Sequence, residues 1–246
     1  MASRTASKDI ITLRGSAAIV SEFFGYAANR CALRAVAGAR IDGRRCADAD
    51  SGLISDPGCF VFLVCAWRSI LYNRGVYPEE SFTKVKKYGL TMLLTQDEGV
   101  KTFIANLNTQ LSEWLEAGKL QRIVLVIMSK ATSEVLERWN FSIQTDPEVV
   151  DKGVIKEKSD KEIMREIQAI MRQVASCITY LPCLDEPCIF DVLAYTDMDV
   201  AVPFTWVESD AKLIENPQMV KLHSFDTKIH KVDTLVSYKV DEWDEE

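Results

Sequence analysis

The chain of 246 residues has only two histidines, and no two of its seven cysteines are separated by two residues. Zinc modules need thiolate and imidazole ligands grouped at such short spacings, so we expect no structural metal. The longest apolar run, residues 59–67, has nine residues. A membrane-spanning helix needs about 20. The sequence therefore predicts neither a metal centre nor a membrane span.

Basic residues are outnumbered, with 29 lysines and arginines against 36 acidic residues and a net charge of -7. This balance argues against nucleic-acid binding, which needs a basic surface. No phosphate-binding loop or dinucleotide fingerprint is present, so we expect no cofactor. The first residues lack the apolar core of a secretion signal. We therefore expect a reducing compartment and unpaired cysteines.

The N-terminal pattern indicates a helix that is interrupted. Residues 10–29 predict an amphipathic helix, because apolar residues recur in four-residue steps. The period is lost over residues 30–68. When these 39 residues are removed, the apolar stripe resumes at Ile70 and Leu71 and continues to Gly75. We interpret residues 30–68 as an insertion that interrupts the first helix.

The composition of the insertion differs from that of the other residues. It holds six of the thirteen arginines and four of the seven cysteines, and it has no lysine or glutamate. We interpret it as a retained intron translated in frame, and an isoform-specific loop is the alternative. If it loops out, its apolar run at 59–67 must find cover. The chain is then expected to be less stable, and weaker in partner binding, than a form without the insertion.

The rest of the pattern predicts an α+β fold in one domain, residues 1–246, with three helices packed on a largely antiparallel sheet. Residues 81–94 are partly alternating and are expected to be extended. The other predicted elements are a helix at 97–117 ended by Gly118, strands at 122–128 and 134–145 that pair as a hairpin, and a third helix opened by the capping box Ser159–Glu162.

The C-terminal residues predict an arm. A mostly apolar strand at 188–195 is followed by a long polar segment and then by two alternating strands, at 219–225 and 234–239. Such an arm can close over a peptide laid beside the first strand, because a strand edge offers unpaired amides and carbonyls. Trp206 lies in the polar segment and either packs on the body of the fold or clamps the peptide. The acidic tail, 241–246, is expected to be solvated.

A catalytic arrangement is conceivable but weakly supported. It would pair Cys183 or Cys188 with His223 or His230, with Asp191 as the orienting carboxylate. Cys188 lies in a strand that is expected to be half buried, where a thiol behaves as a small hydrophobe. We predict that the chain is not an enzyme.

Several long motifs occur in one order along the chain. They are Thr12-Leu-Arg-Gly-Ser16, Ile70-Leu-Tyr-Asn-Arg-Gly-Val-Tyr-Pro78, Glu134-Val-Leu-Glu-Arg-Trp139, Tyr195-Thr-Asp197 and Phe225-Asp-Thr-Lys-Ile-His-Lys-Val232. Together they resemble the HORMA-domain proteins of the spindle-assembly checkpoint, and the ending Asp241-Glu-Trp-Asp-Glu-Glu246 resembles the plant members. The resemblance covers the chain except for residues 30–68.

The resemblance implies a signalling adaptor with two folded states. In the open state the C-terminal segment covers the ligand edge of the sheet. In the closed state this segment, a safety belt at 199–246, crosses the sheet and traps an extended partner peptide. The implied output is inhibition of the anaphase-promoting complex co-activator and a delay of anaphase. The implied peptide-binding residues are Phe190, Val192, Leu193, Ala194, Tyr195 and Trp206.

The implied partners are a coiled-coil kinetochore Mad protein, the anaphase-promoting-complex co-activator, a checkpoint kinase-like adaptor, and a second copy in an open–closed dimer. The implied dimer and inhibitor surface contains Arg74, Arg172, Gln173 and His223. On residue pattern alone Arg172 is a solvated arginine, and His223 stands where relatives often carry arginine. The implied location is the nucleus and kinetochore, with the cytoplasm and nuclear envelope. Two alternatives stay open, another HORMA adaptor of the polymerase-accessory or meiotic-axis type and a poorly functional splice product.

Overall fold

The computed structural model describes residues 10–15, 57–76, 82–87, 90–95, 98–146, 157–203 and 206–240. Within these ranges the helices are α1 (Pro57–Asn73), α2 (Glu98–Glu116) and α3 (Asp160–Ser176). The strands are β1 (Ile10–Gly15), β2 (Phe82–Lys87), β3 (Leu90–Thr95), β4 (Leu120–Ser129), β5 (Val135–Thr145), β6 (Cys188–Asp197), β7 (Trp206–Glu208), β8 (Gln218–Lys221), β9 (Phe225–Asp226) and β10 (His230–Tyr238). None of the helices in these ranges is long and apolar enough to cross a membrane.

Eight of the strands form one antiparallel sheet in the order β7-β1-β6-β4-β5-β10-β8, with β9 also paired to β10. The predicted hairpin of β4 and β5 is confirmed, and its register runs from Arg122 opposite Ser142 to Met128 opposite Val135. Strands β2 and β3 form a separate hairpin. The C-terminal strands β8 and β10 lie on the β5 side of the sheet, far from β6 in the strand order.

The main core lies between one face of the sheet and the three helices, which confirms the predicted α+β class. Successive residues of a strand point to opposite faces, so alternate residues of the central strands enter this core. The strand side chains in it are those of Ile123, Leu125, Ile127, Trp139, Phe141, Ile143, Phe190, Val192, Ala194, Val232 and Val236. Phe62 of α1 packs edge-on against Phe141 and Phe225, with ring centroids 5.8 Å and 4.7 Å apart.

The prediction for the first helix was wrong at its start. Ile10–Gly15 is a strand, and the helix described before Gly75 is α1, which starts at Pro57. The isoleucines and threonine at 10–12 are β-branched and suit a strand, and the β6 edge provides long-range pairing that a periodicity argument does not see. Residues 16–29, which were predicted to be helical, lie outside the described residues, as do 30–56 and the tail at 241–246.

The first half of α1 lies in the segment that we interpret as an insertion. Proline is well tolerated at the first position of a helix, so Pro57 can start it. When 39 is subtracted from their residue numbers, the buried positions of this half coincide with the apolar stripe predicted for residues 20–28. The buried residues Cys59, Phe62, Leu63, Ala66 and Trp67 correspond in this way to Val20, Phe23, Phe24, Ala27 and Ala28.

Five residues of the apolar run at 59–67, Cys59, Phe62, Leu63, Ala66 and Trp67, are therefore buried in the core. The lower stability expected of the chain with residues 30–68 stays a prediction. The chain has two sequence segments with the apolar spacing that the first half of this helix needs, and the second of them lies in α1.

The predicted glycine stop at Gly118 is confirmed, and Gly75 ends α1 in the same way. Gly75 has φ of 64° and Gly118 has φ of 65°, a left-handed conformation that glycine adopts without strain. At each end the following amide donates to the carbonyl five residues earlier, Val76 to Leu71 at 3.1 Å and Lys119 to Trp114 at 2.9 Å. This is the Schellman pattern, and it fixes the start of β4 directly after α2.

The predicted capping box of α3 is confirmed. The Ser159 side chain accepts from the Glu162 amide, and the Glu162 carboxylate accepts from the Ser159 amide at 3.1 Å. Because the carboxylate is stabilised by these donors, above all the Ser159 backbone amide, the pKa of Glu162 is lowered.

Replacing Ser159 with alanine is expected to destabilise the fold by about 1 kcal/mol, the usual value of an N-cap side chain. This corresponds to a fall of about 2–4 °C in the melting temperature for a chain of this size. Thermal unfolding followed by circular dichroism measures it. Ser176→Ala, at the exposed C-terminal end of the same helix, is the matched control. Equal effects of the two changes would show that the cap has no special role.

Candidate functional site

Strand β6 is the centre of the predicted peptide site, and its side chains divide between two faces. Phe190, Val192 and Ala194 are at most 3% exposed and belong to the core under the helices. Leu193 and Tyr195 lie on the opposite face. The side chains of Phe190, Val192 and Ala194 therefore point into the core, and their role in binding a peptide stays a prediction. The contribution that they can make to strand addition comes from their backbone.

The edge of β6 is occupied by the chain's own N-terminal strand. β1 pairs with β6 antiparallel, from Ile10 opposite Asp197 to Arg14 opposite Leu193. On its other side β1 pairs with β7, from Leu13 opposite Glu208 to Gly15 opposite Trp206. A groove one strand wide therefore lies between β6 and β7, and the residues Ile10–Gly15 fill it.

Trp206 anchors the outer wall of this groove. It is 7% exposed, and its ring packs on Trp114 of α2 with centroids 5.0 Å apart. The Trp114 indole N–H in turn donates to the Ala201 carbonyl oxygen at 3.4 Å. Of the two alternatives for Trp206, the structure shows packing on the body of the fold, and this packing holds β7 against the strand in the groove.

Residues 209–217 connect β7 at one edge of the sheet with β8 at the opposite edge. On the face away from the helices, Val124, Val126, Met128 and Leu193 form a second apolar cluster. Lys212 contacts this face, with its Nζ 3.4 Å from the Met128 Sδ and 3.4 Å from the Asp191 Oδ2. We call residues 209–217 the crossing segment. Through Lys212 it lies over the face of the sheet away from the helices.

Asp191 holds the crossing segment by an ion pair that sequence reasoning missed. The aspartate is 2% exposed, and a buried carboxylate needs a cation or hydrogen bonds to offset its desolvation. One signal was available, because Asp191 is the only charged residue between the apolar positions 189 and 195 of the strand. Sequence reasoning had considered it only as a catalytic orienter.

The start of the belt is also fixed by charge. The Lys119 ammonium lies 2.7 Å from an Asp199 carboxylate oxygen and 3.7 Å from one of Asp197. The hydrogen bond from Lys119 lowers the pKa of Asp199, and the same bond raises the pKa of Lys119. Together with the position of β10 beside β5, these contacts show that the residues after β6 are held at both sides of the sheet.

The surface implied for dimer and inhibitor binding is only partly assembled. Arg172 is exposed, and the His223 backbone amide donates to the Gln173 side-chain oxygen at 2.8 Å. Arg74 departs from the expectation, because it is 8% exposed. Its guanidinium Nε donates to Glu137 at 2.7 Å, and its Nη2 donates to Glu137 and to the Pro182 carbonyl oxygen. A buried ion pair cannot serve as an exposed contact in this conformation.

The residues considered for catalysis have different surroundings. Cys188 is buried, and burial raises the pKa of its thiol, which disfavours the nucleophilic thiolate. His230 is buried in β10 and His223 is exposed. Within the described ranges no three histidine, cysteine or acidic side chains cluster as metal ligands. No disulfide joins the cysteines of the described part of the chain.

Comparison with known proteins identifies the family. The HORMA domain model matches residues 61–230. The mitotic spindle checkpoint protein MAD2 of Zea mays is 76% identical over 246 residues, and that of Arabidopsis thaliana is 70% identical over 247 residues, with 100% of both chains covered in each case. The human mitotic spindle assembly checkpoint protein MAD2A is 39% identical over 240 residues, covering 98% of each chain.

Solved structures agree with this assignment. A chain of the crystal structure of the mitotic checkpoint complex is 41% identical, with a TM-score of 0.67 over 74% of this chain and 97% of that chain. C. elegans HTP-2, in a structure bound to the HIM-3 closure motif, is 15% identical with a TM-score of 0.59 over 76% and 93%, and this likeness shows the fold alone. The identities favour the checkpoint type over the other HORMA adaptors. The chain therefore belongs to the HORMA family and is a spindle-assembly-checkpoint signalling protein.

Proposed function

We propose that this chain captures an extended peptide of a checkpoint partner in the groove between β6 and β7 and retains it by closing the belt. The observation that supports this best is the pairing of a strand in the groove with both walls, β6 through Leu193–Asp197 and β7 through Trp206–Glu208. Main-chain pairing on both sides suits an extended peptide of variable sequence. The crossing segment then blocks its sideways escape.

The proposed ligands are a coiled-coil kinetochore Mad protein and the co-activator of the anaphase-promoting complex, with a checkpoint kinase-like adaptor as a further partner. A similar chain forms part of the mitotic checkpoint complex, which supports assembly with such partners. Because the groove is one strand wide, it holds one peptide at a time. A new partner can therefore bind only after the belt has opened and released the previous peptide. Inhibition of the co-activator then delays anaphase.

A second surface is proposed for an open–closed dimer and for an inhibitor. It contains the exposed Arg172 and the joined Gln173 and His223. This surface lies on α3 and the end of the terminal hairpin, apart from the peptide groove, so both can be occupied together. We propose action at the kinetochore and in the nucleus, with pools in the cytoplasm and at the nuclear envelope.

Trp206→Ala is expected to speed dissociation of a captured peptide about 100-fold. Truncating a buried tryptophan removes about 3–5 kcal/mol of packing, and here that packing holds the groove wall against Trp114. Overlapping fluorescein-labelled peptides spanning the coiled-coil Mad protein are screened by anisotropy, and the best binder is used in dissociation measurements.

The matched control is Val207→Ala in the same strand, where the side chain is 52% exposed. We expect less than about a threefold change for it, because little packing is lost. If no peptide of the array binds, the proposed capture is wrong. If both variants release the peptide at the rate of the unmodified chain, the closing role of β7 is wrong.

A further inference from the structure

The strand in the groove belongs to the chain itself, and we propose that Ile10–Gly15 is an internal ligand which a partner peptide must displace. This inference rests on the proposed capture of peptides in the same groove. It assigns to the N-terminal segment a role in controlling access to the site.

The pairing of β1 supports this role. Five residues, Ile10 to Arg14, are in register with β6, and three, Leu13 to Gly15, are in register with β7. The two backbone edges of β1 are therefore both used, as they would be in a trapped peptide. A partner needs the same backbone groups of β6 and β7. Occupation by β1 and by a partner is thus mutually exclusive.

The connection of β1 to the rest of the fold also supports displacement. The next described element, α1, starts 42 residues after Gly15. In its sheet β1 pairs only with the two groove walls, β6 and β7, among the described strands. A segment held in this way can leave without breaking the pairing of β4, β5, β6 and β10, which keeps the main sheet intact.

An internal ligand lowers the apparent affinity for an external one. The apparent dissociation constant equals the intrinsic one divided by the fraction of molecules whose groove is empty, since only that fraction can bind. If β1 fills nine grooves in ten, the apparent affinity for a partner falls about tenfold. Tethering favours β1 over a free peptide of the same sequence, so a partner must bind β6 and β7 better than Ile-Ile-Thr-Leu-Arg-Gly does.

The sequence of β1 defines a class of competing ligand. It is a six-residue extended segment with β-branched residues at its first three positions, one basic residue at Arg14 and a terminal glycine. A free peptide of residues 8–17 is therefore a direct probe of the groove. It needs no knowledge of which protein the natural partner is.

The test uses the full chain with Thr12→Pro. Proline has no N–H and is disfavoured in a strand that is paired on both sides, so the internal ligand should leave the groove. We expect the labelled 8–17 peptide to bind this variant at least tenfold more tightly than it binds the unmodified chain, as measured by anisotropy. Thr12→Val keeps a β-branched residue and is the matched control, expected to bind the peptide as weakly as the unmodified chain.

Three outcomes separate the possibilities. Equal binding of the 8–17 peptide to all three chains would overturn the internal-ligand proposal, even if peptides of the coiled-coil Mad protein bind. Tight binding of the 8–17 peptide to Thr12→Pro without binding of any partner peptide would support the internal ligand and contradict the proposed partner. If Thr12→Pro lowers the melting temperature, added 8–17 peptide should restore it, and failure to restore it would show that β1 is only a structural strand.

Discussion

Deletion of residues 210–213 is expected to abolish peptide capture, with affinity reduced at least about 100-fold. The crossing segment must connect Glu208, at one edge of the sheet, with Gln218, at the other. These strands are six strand spacings apart in the sheet order, which is about 29 Å at the usual spacing of about 4.8 Å. The segment therefore has a minimum length that the deletion removes.

The strand register increases the distance that the crossing segment must span. Glu208 lies opposite Leu13, which lies opposite Ala194 of β6. Following the pairs from Gln218 through β10, β5 and β4 leads to Phe190, four residues away along β6. The path across a flat sheet is then about 32 Å, and ten residue steps reach at most about 33–36 Å.

The twist of the sheet shortens this path, and bends with φ of 45° at Lys212 and 46° at Asn216 take up the difference. With four residues deleted, six steps reach only about 20–22 Å. Strands β7 and β8 then cannot occupy both edges, and the groove loses its outer wall. Anisotropy with the best-binding Mad peptide measures the loss.

Replacing residues 210–213 with Gly-Ser-Gly-Ser is the matched control, because it keeps the length and removes the side chains. We expect this variant to bind within about tenfold of the unmodified chain, the remaining loss reflecting the Asp191–Lys212 pair. Full binding by the shortened chain would contradict a belt that closes across the sheet.

Glu137→Ala is expected to cause the largest loss of stability, about 3–5 kcal/mol. Glu137 is 1% exposed and pairs with the buried Arg74, and its second oxygen accepts from the Trp139 indole N–H at 3.0 Å. Removing one member of a buried pair leaves the other charge uncompensated. A chain of this size should then melt about 10 °C lower.

Glu134→Ala provides the control next to the same strand. Glu134 pairs with Lys239 at 2.6 Å, but the two side chains are 49% and 39% exposed, and exposed pairs contribute less than about 1 kcal/mol. Urea unfolding of both variants measures the difference. Similar losses would mean that the Arg74–Glu137 pair does not carry the stability that its burial implies.

Local signals allowed much of the fold to be predicted. The Ser159 capping box, the stop at Gly118, the apolar runs of β4 and β6 and the alternation of β5 depend on residues close in sequence, and the structure bears them out. The strand at Ile10–Gly15 could not be found in this way, because its partners lie about 180 residues later along the chain. The β-branched residues at 10–12 are compatible with a strand. The residues after them have helical apolar spacing, however, and for this reason the predicted helix was extended back to Ile10.

The choice of the first helix shows a second limit. Residues 20–28 and 59–67 have the same apolar spacing, so periodicity alone could not decide which of them packs before Ile70. At the site, the sequence located β6, Trp206 and the crossing arm. It could not show that Phe190 and Val192 face the core or that Arg74 is buried, because the face of a strand and the partner of a charge depend on the assembled sheet and helices.

The order of strands in the large sheet begins with β7 and ends with β8. These strands have only three and four residues, whereas β6 has ten. Short edges resist intermolecular pairing, and a long bare edge promotes polymerisation. β6 would be such an edge if neither β1, a partner peptide nor the C-terminal segment were paired with it. Keeping the groove filled, by its own strand or by a partner, therefore also protects the solubility of the protein.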